Sequence, residues 1–334
     1  MDEKDMTMRE ALHLALDQAL AADERVFLLG EDIADPGATG PTAGLSTKYG
    51  SDRVLDTPIS EAAILGAAVG AAIDGLLPVA EVMIMDFIGI AADQLVNNAA
   101  KLRFMTAGRT TAPITVRTQV YGGLATGATH SQSLEAWFMH IPGMKVVVPS
   151  TPRDGKGLLT SAIFDNDPCL FVETIRLQSQ RGSVPTDPTF SIPLGKADVK
   201  RRGSDVTIVS YGRSVLDSLA AAESLEREDV SAEVIDLRTL VPLDVDTVVD
   251  SVRRTRRAVV VHDAVQFAGP GAEMVATLHA ECFNELTAPI ERVAARFVPT
   301  PAAAALEAQL YPSPARIVAA VQRTIQASVA DAHG

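Results

Sequence analysis

Stretches with apolar residues at helical spacing alternate with short, continuous apolar runs from one end of this 334-residue chain to the other. The runs Val26–Gly30, Arg53–Leu55, Val79–Met83, Ile114–Arg117, Lys145–Val148 and Leu170–Glu173 have the length and β-branched content of buried strands. Helical spacing covers about 6–22, 60–75 and 86–105, then Leu134–Phe138, and a further helix opens at Thr151-Pro152, where proline occupies its favoured first position. A second series begins at Val206–Ser210 and continues with strands near 232–236, 257–262 and 290–294 and a last helix over about 315–329. Such alternation predicts an α/β fold of doubly wound parallel sheets with crossover helices. The polar, Gln-, Ser-, Pro- and Asp-rich stretch at 181–204 reads as a linker between a domain over 1–180 and another over 205–334.

Composition narrows the partners. Forty-two acids against 29 bases give a net charge of −13, with no dense Lys/Arg block, which argues against nucleic acid or an anionic membrane surface. The acidic start Met1–Asp5 does not read as a signal peptide, and no apolar run reaches the ~20 residues of a membrane span. Cys169 and Cys282 stand far apart and read as reduced core residues. The expectation is a cytoplasmic protein. The chain has no G-x-G-x-x-G after its first strand, no P-loop, no G-x-S-x-G elbow and no zinc-ligand spacing among its six histidines.

Two segments hold candidate chemistry. In Asp56-Thr57-Pro58-Ile59-Ser60-Glu61 a strand hands over to a small-residue helix, with Ser60 as a natural N-cap and Glu61 in the first turn, where the helix dipole favours a negative charge. On these residues alone Glu61 reads as a helix-start carboxylate and nothing more. The second is Tyr121–Ser133, a loop with three glycines whose backbone can approach a neighbour closely and which leads to His130. His130 reads either as a cap at a loop–helix junction or as a functional histidine. Gly269-Pro270-Gly271-Ala272-Glu273 reads as a turn into a helix.

Taken in order, Gly30-Glu31-Asp32, Thr57–Glu61, Asp86-Phe87, His130–Ser133, His140–Gly143, Pro149–Pro152, Ile192–Ala197, Asp236–Asp244 and Gly269–Glu273 resemble one family along nearly the whole chain. It is the β subunit of the decarboxylating component of 2-oxoacid dehydrogenase complexes (pyruvate, branched-chain and acetoin types), relatives of transketolase. The resemblance implies a thiamine-diphosphate pyrimidine-binding domain followed by a transketolase C-terminal-like domain. It implies that Glu61 bonds a pyrimidine ring nitrogen and favours the imino tautomer, a task for a partly desolvated carboxylate. Phe87 matches the aromatic against that ring, Ile59 the main-chain contact beside Glu61, and His130 the histidine of later proton transfers and lipoyl acylation.

The same resemblance maps a structural potassium site onto main-chain groups of Ala162, Ile163, Asp165 and Asp167, with Ile114 opposite; the family often has Asn where this chain has Asp167. Magnesium and the diphosphate would be held elsewhere. The nearest Gly-Asp-Gly…Asn match is Asp74-Gly75 with Asn97-Asn98, but Ile73 replaces the first glycine, and Asp74-Gly75 reads as a helix end. The implied assembly is an α2β2 heterotetramer, with an α subunit holding the diphosphate, docked to a lipoyl acyltransferase core. The chain departs from the family in the Ile33–Pro41 loop, at Thr174–Gln178, and at Phe297–Pro301, which lacks the usual acid. The residues leave open a 2-oxoacid dehydrogenase subunit, an acetoin-cleaving or carboligating subunit, and a non-catalytic assembly subunit.

Overall fold

The computed structural model describes residues 2–34 and 40–327, so residues 328–329 of the last expected helix, and 35–39 of the Ile33–Pro41 loop, lie outside the described residues. The chain divides into two compact units, one formed by 1–121 with 130–194 and the other by 122–129 with 195–334.

In the first unit, strand β1 (Glu3–Thr7) leads into helix α1 (Met8–Ala22), and Thr7 closes a reciprocal capping box with Glu10. There follow β2 (Val26–Gly30), α2 (Leu45–Tyr49), β3 (Val54–Asp56), α3 (Glu61–Ile73) and β4 (Leu77–Ile84). Next come α4 (Ala100–Met105), β5 (Thr115–Val120), α5 (Glu135–Met139), β6 (Lys145–Val147), α6 (Pro152–Ile163), β7 (Cys169–Thr174) and β8 (Arg181–Pro185). Strands in the order β6-β7-β5-β4-β2-β3 all run parallel. Their near-continuous apolar content follows from helices covering both faces. On one side α1 and α6 pack together; α3 packs against the segment 85–99. Thr151 caps α6 by accepting the Asp154 N–H, with Pro152 at the first position, as the Thr-Pro pair predicts.

Three local expectations need correction. The stretch 86–105 is not one helix. It begins as a 3-10 segment (Met85–Ala91), passes through one π-helical stretch (Gln94–Ala99) and only then becomes α4. The linker drawn over 181–204 is also structured at both ends. Residues Arg181–Pro185 pair antiparallel with β1, and Asp198–Arg201 (β9) forms an edge strand. Between them the buried Lys156 ammonium donates to the carbonyls of Pro185 and Asp187, and Ser161 donates to that of Ile192. Main-chain pairing with β1 and bonds to α6 hold this stretch, and the units divide at Leu194/Gly195. Finally, Ser60 stands at the N-cap of α3, but its side chain makes no capping hydrogen bond.

The His140–Gly143 motif proves to be a packing feature. Gly143 has φ +100°, and a Cβ there would sit 2.0 Å from the Ala100 carbonyl oxygen, so only glycine fits.

The second unit is β10 (Val206–Ser210), α7 (Ser214–Glu226), β11 (Ala232–Asp236), β12 (Thr239–Val241), α8 (Val245–Thr255), β13 (Ala258–Val265), α9 (Pro270–Cys282), β14 (Glu291–Ala295), α10 (Ala304–Glu307) and α11 (Pro314–Gln326). Its sheet runs β14-β13-β10-β11-β9, parallel except for β9. Helices α7 and α11 pack on each other, as do α8 and α9. Gly269 and Pro270 open α9, so that segment is the helix start its sequence suggests. Both cysteines are free and buried.

Candidate active site

The candidate residues gather at the carboxyl ends of the parallel strands of the first unit, the edge where ligands of doubly wound sheets bind. Asp56 ends β3, and its carboxylate accepts the Ile33 N–H at 2.9 Å. The Thr57 N–H donates to the Gly30 carbonyl at 3.0 Å. These two bonds tie the Thr57–Glu61 segment to the end of β2. Ile59 is left 73% exposed beside Glu61, which is only 9% exposed as the first residue of α3. A hydrophobic side chain in the open beside a buried carboxylate reverses the usual order, and such inversions mark binding surfaces.

Phe87 and His130 come from different parts of the sequence and meet edge-to-face, their ring centroids 5.3 Å apart with planes at 83°. Asp86 supports this meeting: its carboxylate accepts the side-chain amide of Gln132 at 2.8 Å and the Gln132 main-chain N–H at 3.2 Å. The main-chain N–H of Leu134 also reaches the Met85 sulfur at 3.3 Å. The chain on both sides of Phe87 is thereby joined to the chain just after His130. Glu61 belongs to the same edge because α3 packs on the 85–91 segment.

Carboxylates crowd this edge. Burial pushes the Glu31 carboxyl above the ordinary range, and the charges of Asp32, Glu61 and Asp56 push it the same way. A carboxyl with a raised folded pKa destabilises the fold as pH rises through that value, because the unfolded chain ionises more readily. Glu31→Gln is therefore expected to raise the melting temperature at pH 8, with the gain shrinking toward pH 5; thermal scans of both proteins across that range check it, and an equal gain at all pH values would remove electrostatics as its cause.

Beside this cluster lies a cavity of about 340 Å³ lined by Arg9, Glu31, Glu81, Gln119, Tyr121 and Gln178, among others. Beneath it is a buried charge network that the strand pattern did not reveal. Arg117, 2% exposed on β5, donates from Nη1 to Glu81 on β4 at 2.7 Å and from Nε to Glu173 on β7 at 2.8 Å. Glu173 accepts a further bond from Gln178 at 2.8 Å. The sequence signal was a single arginine ending an apolar run that three layers of structure bury.

The Asp74-Gly75 pair is a helix end, as its sequence suggests. Asp74 follows the last turn of α3, Gly75 has φ +97°, and the Leu76 N–H closes back on the Ala71 carbonyl. Asn97 donates to Asp93 one turn earlier.

The turn assigned by resemblance to potassium gives a different picture from a side-chain cation site. Lys145 donates to both oxygens of Asp165 at 2.6 Å, and Arg103 donates to Asp167 at 2.5 Å. The Ala162 carbonyl accepts the N–H groups of Phe164 and Asp165, and that of Ile114 accepts Cys169. The carboxylates already face two resident cations, and the expectation concerned the main-chain carbonyls of this turn rather than its side chains. Among the described residues no group of three or more His, Cys, Asp or Glu is placed to hold a metal ion.

Comparison with known proteins matches this architecture. Residues 4–178 match the transketolase pyrimidine-binding domain, and 195–317 the transketolase C-terminal domain. The chain is 44% identical over 332 residues to the β subunit of acetoin:2,6-dichlorophenolindophenol oxidoreductase of Cupriavidus necator, covering 96% of this chain and 98% of the relative. It is 45% identical over 292 residues to the pyruvate dehydrogenase E1 component β subunit of Bacillus subtilis, covering 87% and 90%. A solved structure described as a split-gene transketolase, an inactive β4 tetramer, superposes with a TM-score of 0.76 at 23% identity, covering 96% of this chain and 98% of that one. At that identity it speaks for the fold. No helix among the described residues is long and apolar enough to cross a membrane. With both domains in order and such identity over nearly its full length, the chain belongs to the transketolase-related family that includes the β subunits of pyruvate and acetoin dehydrogenases.

Proposed function

We propose that this chain is the β subunit of a thiamine-diphosphate-dependent 2-oxoacid dehydrogenase, oxidatively decarboxylating a 2-oxoacid and passing the acyl group to a lipoyl carrier. The observation that carries the proposal is the Phe87–His130 ring pair at the strand edge that also holds the buried Glu61. These residues suit the aminopyrimidine half of the cofactor: a desolvated carboxylate for a ring nitrogen, an aromatic side chain for a ring face, and an exposed Ile59 beside them. When bound, the cofactor supplies an electron sink for the carbonyl carbon during loss of carbon dioxide. Glu61 holds a proton at the pyrimidine nitrogen, Phe87 and Ile59 orient the ring and exclude water, and His130 moves protons at the substrate oxygen.

The diphosphate and its magnesium fall to an α subunit in this reading, because the Asp74-Gly75 and Asn97 positions are used for ending and staying helices. An α2β2 assembly and docking on a lipoyl acyltransferase core belong to the same proposal. Acetoin cleavage is the second reading, favoured by the oxidoreductase of Cupriavidus necator, whose identity to this chain nearly equals that of the pyruvate enzyme subunit. Selectivity between such small substrates rests on about 1–3 kcal/mol of pocket contacts.

Calorimetric titration of thiamine diphosphate with magnesium into the chain alone and into its mixture with the α partner tests the division of labour. Tight binding is expected only for the mixture. Tight binding to the chain alone would overturn it. Turnover of the mixture on pyruvate, branched 2-oxoacids and acetoin, with dichlorophenolindophenol as electron acceptor, then separates the two substrate readings.

A further inference from the structure

The segment Gly122–Thr129 is composed of glycine, alanine, threonine and one leucine and is mostly exposed. Its backbone takes left-handed conformations, with φ of +91° at Gly123, +58° at Ala125 and +82° at Gly127. For alanine that region is strained and persists only when neighbouring groups impose it. A group that holds it there is Glu307, at the end of α10 and 2% exposed. One of its carboxylate oxygens accepts the Gly123 N–H at 2.8 Å, and the other accepts the Ala125 N–H at 2.6 Å. Alternate N–H groups converging on one anion form a main-chain nest, here filled by the protein's own carboxylate. Gly122 is closed from behind, since a Cβ there would lie 2.6 Å from the Tyr311 hydroxyl oxygen.

The residue that follows this segment is His130. We infer that Glu307 is a positioning residue: it fixes the course of the glycine-rich loop that leads along the chain into His130. The inference rests on the catalytic role proposed above for His130. A carboxylate is required because two donors need two acceptors. Glutamine would offer one acceptor and turn its amide N–H group toward the other donor, and aspartate would fall one methylene short.

Hydrogen exchange and kinetics of the enzyme assembled with its α partner test this. In the wild type the amides of Gly123 and Ala125 are expected to be protected despite their exposed surroundings. In Glu307→Gln they should exchange roughly 10- to 100-fold faster, the size of a lost charge-assisted hydrogen bond, with α3 and the sheets unchanged. The same variant should lower kcat by roughly 10- to 100-fold and shift the limb of the kcat–pH profile that His130→Ala abolishes, with KM for thiamine diphosphate held. Glu307→Asp should give the same changes in smaller measure.

Wild-type amides exchanging at open-loop rates would overturn the inference without any variant. So would faster exchange in Glu307→Gln with an unmoved pH profile, because the tether would then not serve His130. If His130→Ala itself leaves kcat and its pH profile unchanged, the proposed function fails at its histidine and takes the inference with it, while the exchange rates still report whether the tether exists.

Discussion

Glu61→Ala is expected to lower turnover of the enzyme assembled with its α partner by at least the ~10²–10⁴-fold typical of acid–base groups. The side chain is 9% exposed and opens α3; as placed, it can hold a proton against a bound ring nitrogen without competition from bulk water. Stability should change little. The helix loses a favourable first-turn charge worth about 0.3–1 kcal/mol, while the crowded carboxylates around Glu31 lose one repelling neighbour. The expected result is therefore a folded, assembled and nearly inactive enzyme. Glu61→Gln should behave in the same way, since an amide keeps the shape but cannot exchange a proton. Assembly is followed by gel filtration, folding by thermal melting and chemistry by turnover. Normal turnover in either variant would remove Glu61 from the mechanism. Normal turnover in both Glu61→Ala and His130→Ala would leave the chain as an assembly subunit, catalysis being supplied entirely by its partner.

What could be read from the sequence depended on how local the determining interactions were. The parallel sheets were legible because apolar runs and helical spacing recur with the required lengths, and α3 was legible down to the residue at its start. The side chain of Ser60 was not, because an N-cap residue type does not dictate its rotamer. The segment 85–105 misled for a related reason. Its apolar spacing is helical throughout, but periodicity says nothing about whether each N–H reaches back three, four or five residues, and Asn97 and Asn98 bond to Asp93 and Gln94 within the widened stretch. At 181–204, polar composition resembled a linker because its hydrogen-bonding partners, β1 and Lys156, lie far away in sequence. The Phe87–His130 contact follows no local pattern: resemblance alone anticipated Phe87, whereas the glycine-rich loop before His130 already marked that residue. Glu307 escaped notice for the strongest reason of this kind: it lies after an alanine-rich stretch, 184 residues from the loop whose amide it binds.

The largest expected loss of stability is in Arg117→Ala, at about 3–5 kcal/mol, the usual cost of stranding a buried charge. Arg117 and Glu173 are each 2% exposed, and Arg117 holds Glu81 as well, so its loss leaves two carboxylates across three adjacent strands without a counter-charge. Burial already pushes the Glu173 carboxyl above its ordinary range, with Glu81 adding to the push and Arg117 opposing it. Removing Arg117 takes away the opposing influence and raises it further. A carboxyl whose folded pKa is raised loses stability as pH rises through that value and regains it as protons return. Urea denaturation should accordingly show a larger deficit for Arg117→Ala at pH 8 than at pH 5.5. Replacing all three residues by apolar ones of similar volume (Arg117→Met, Glu81→Leu and Glu173→Leu) should restore most of the loss, since a well-packed apolar core has no desolvation to offset. A deficit below about 1 kcal/mol, or one independent of pH, would mean that water from the neighbouring cavity reaches these groups and screens them. In that event the network's value would lie in fixing Gln178 and the cavity wall, and the triple apolar variant would be as stable as the wild type but with an altered cavity.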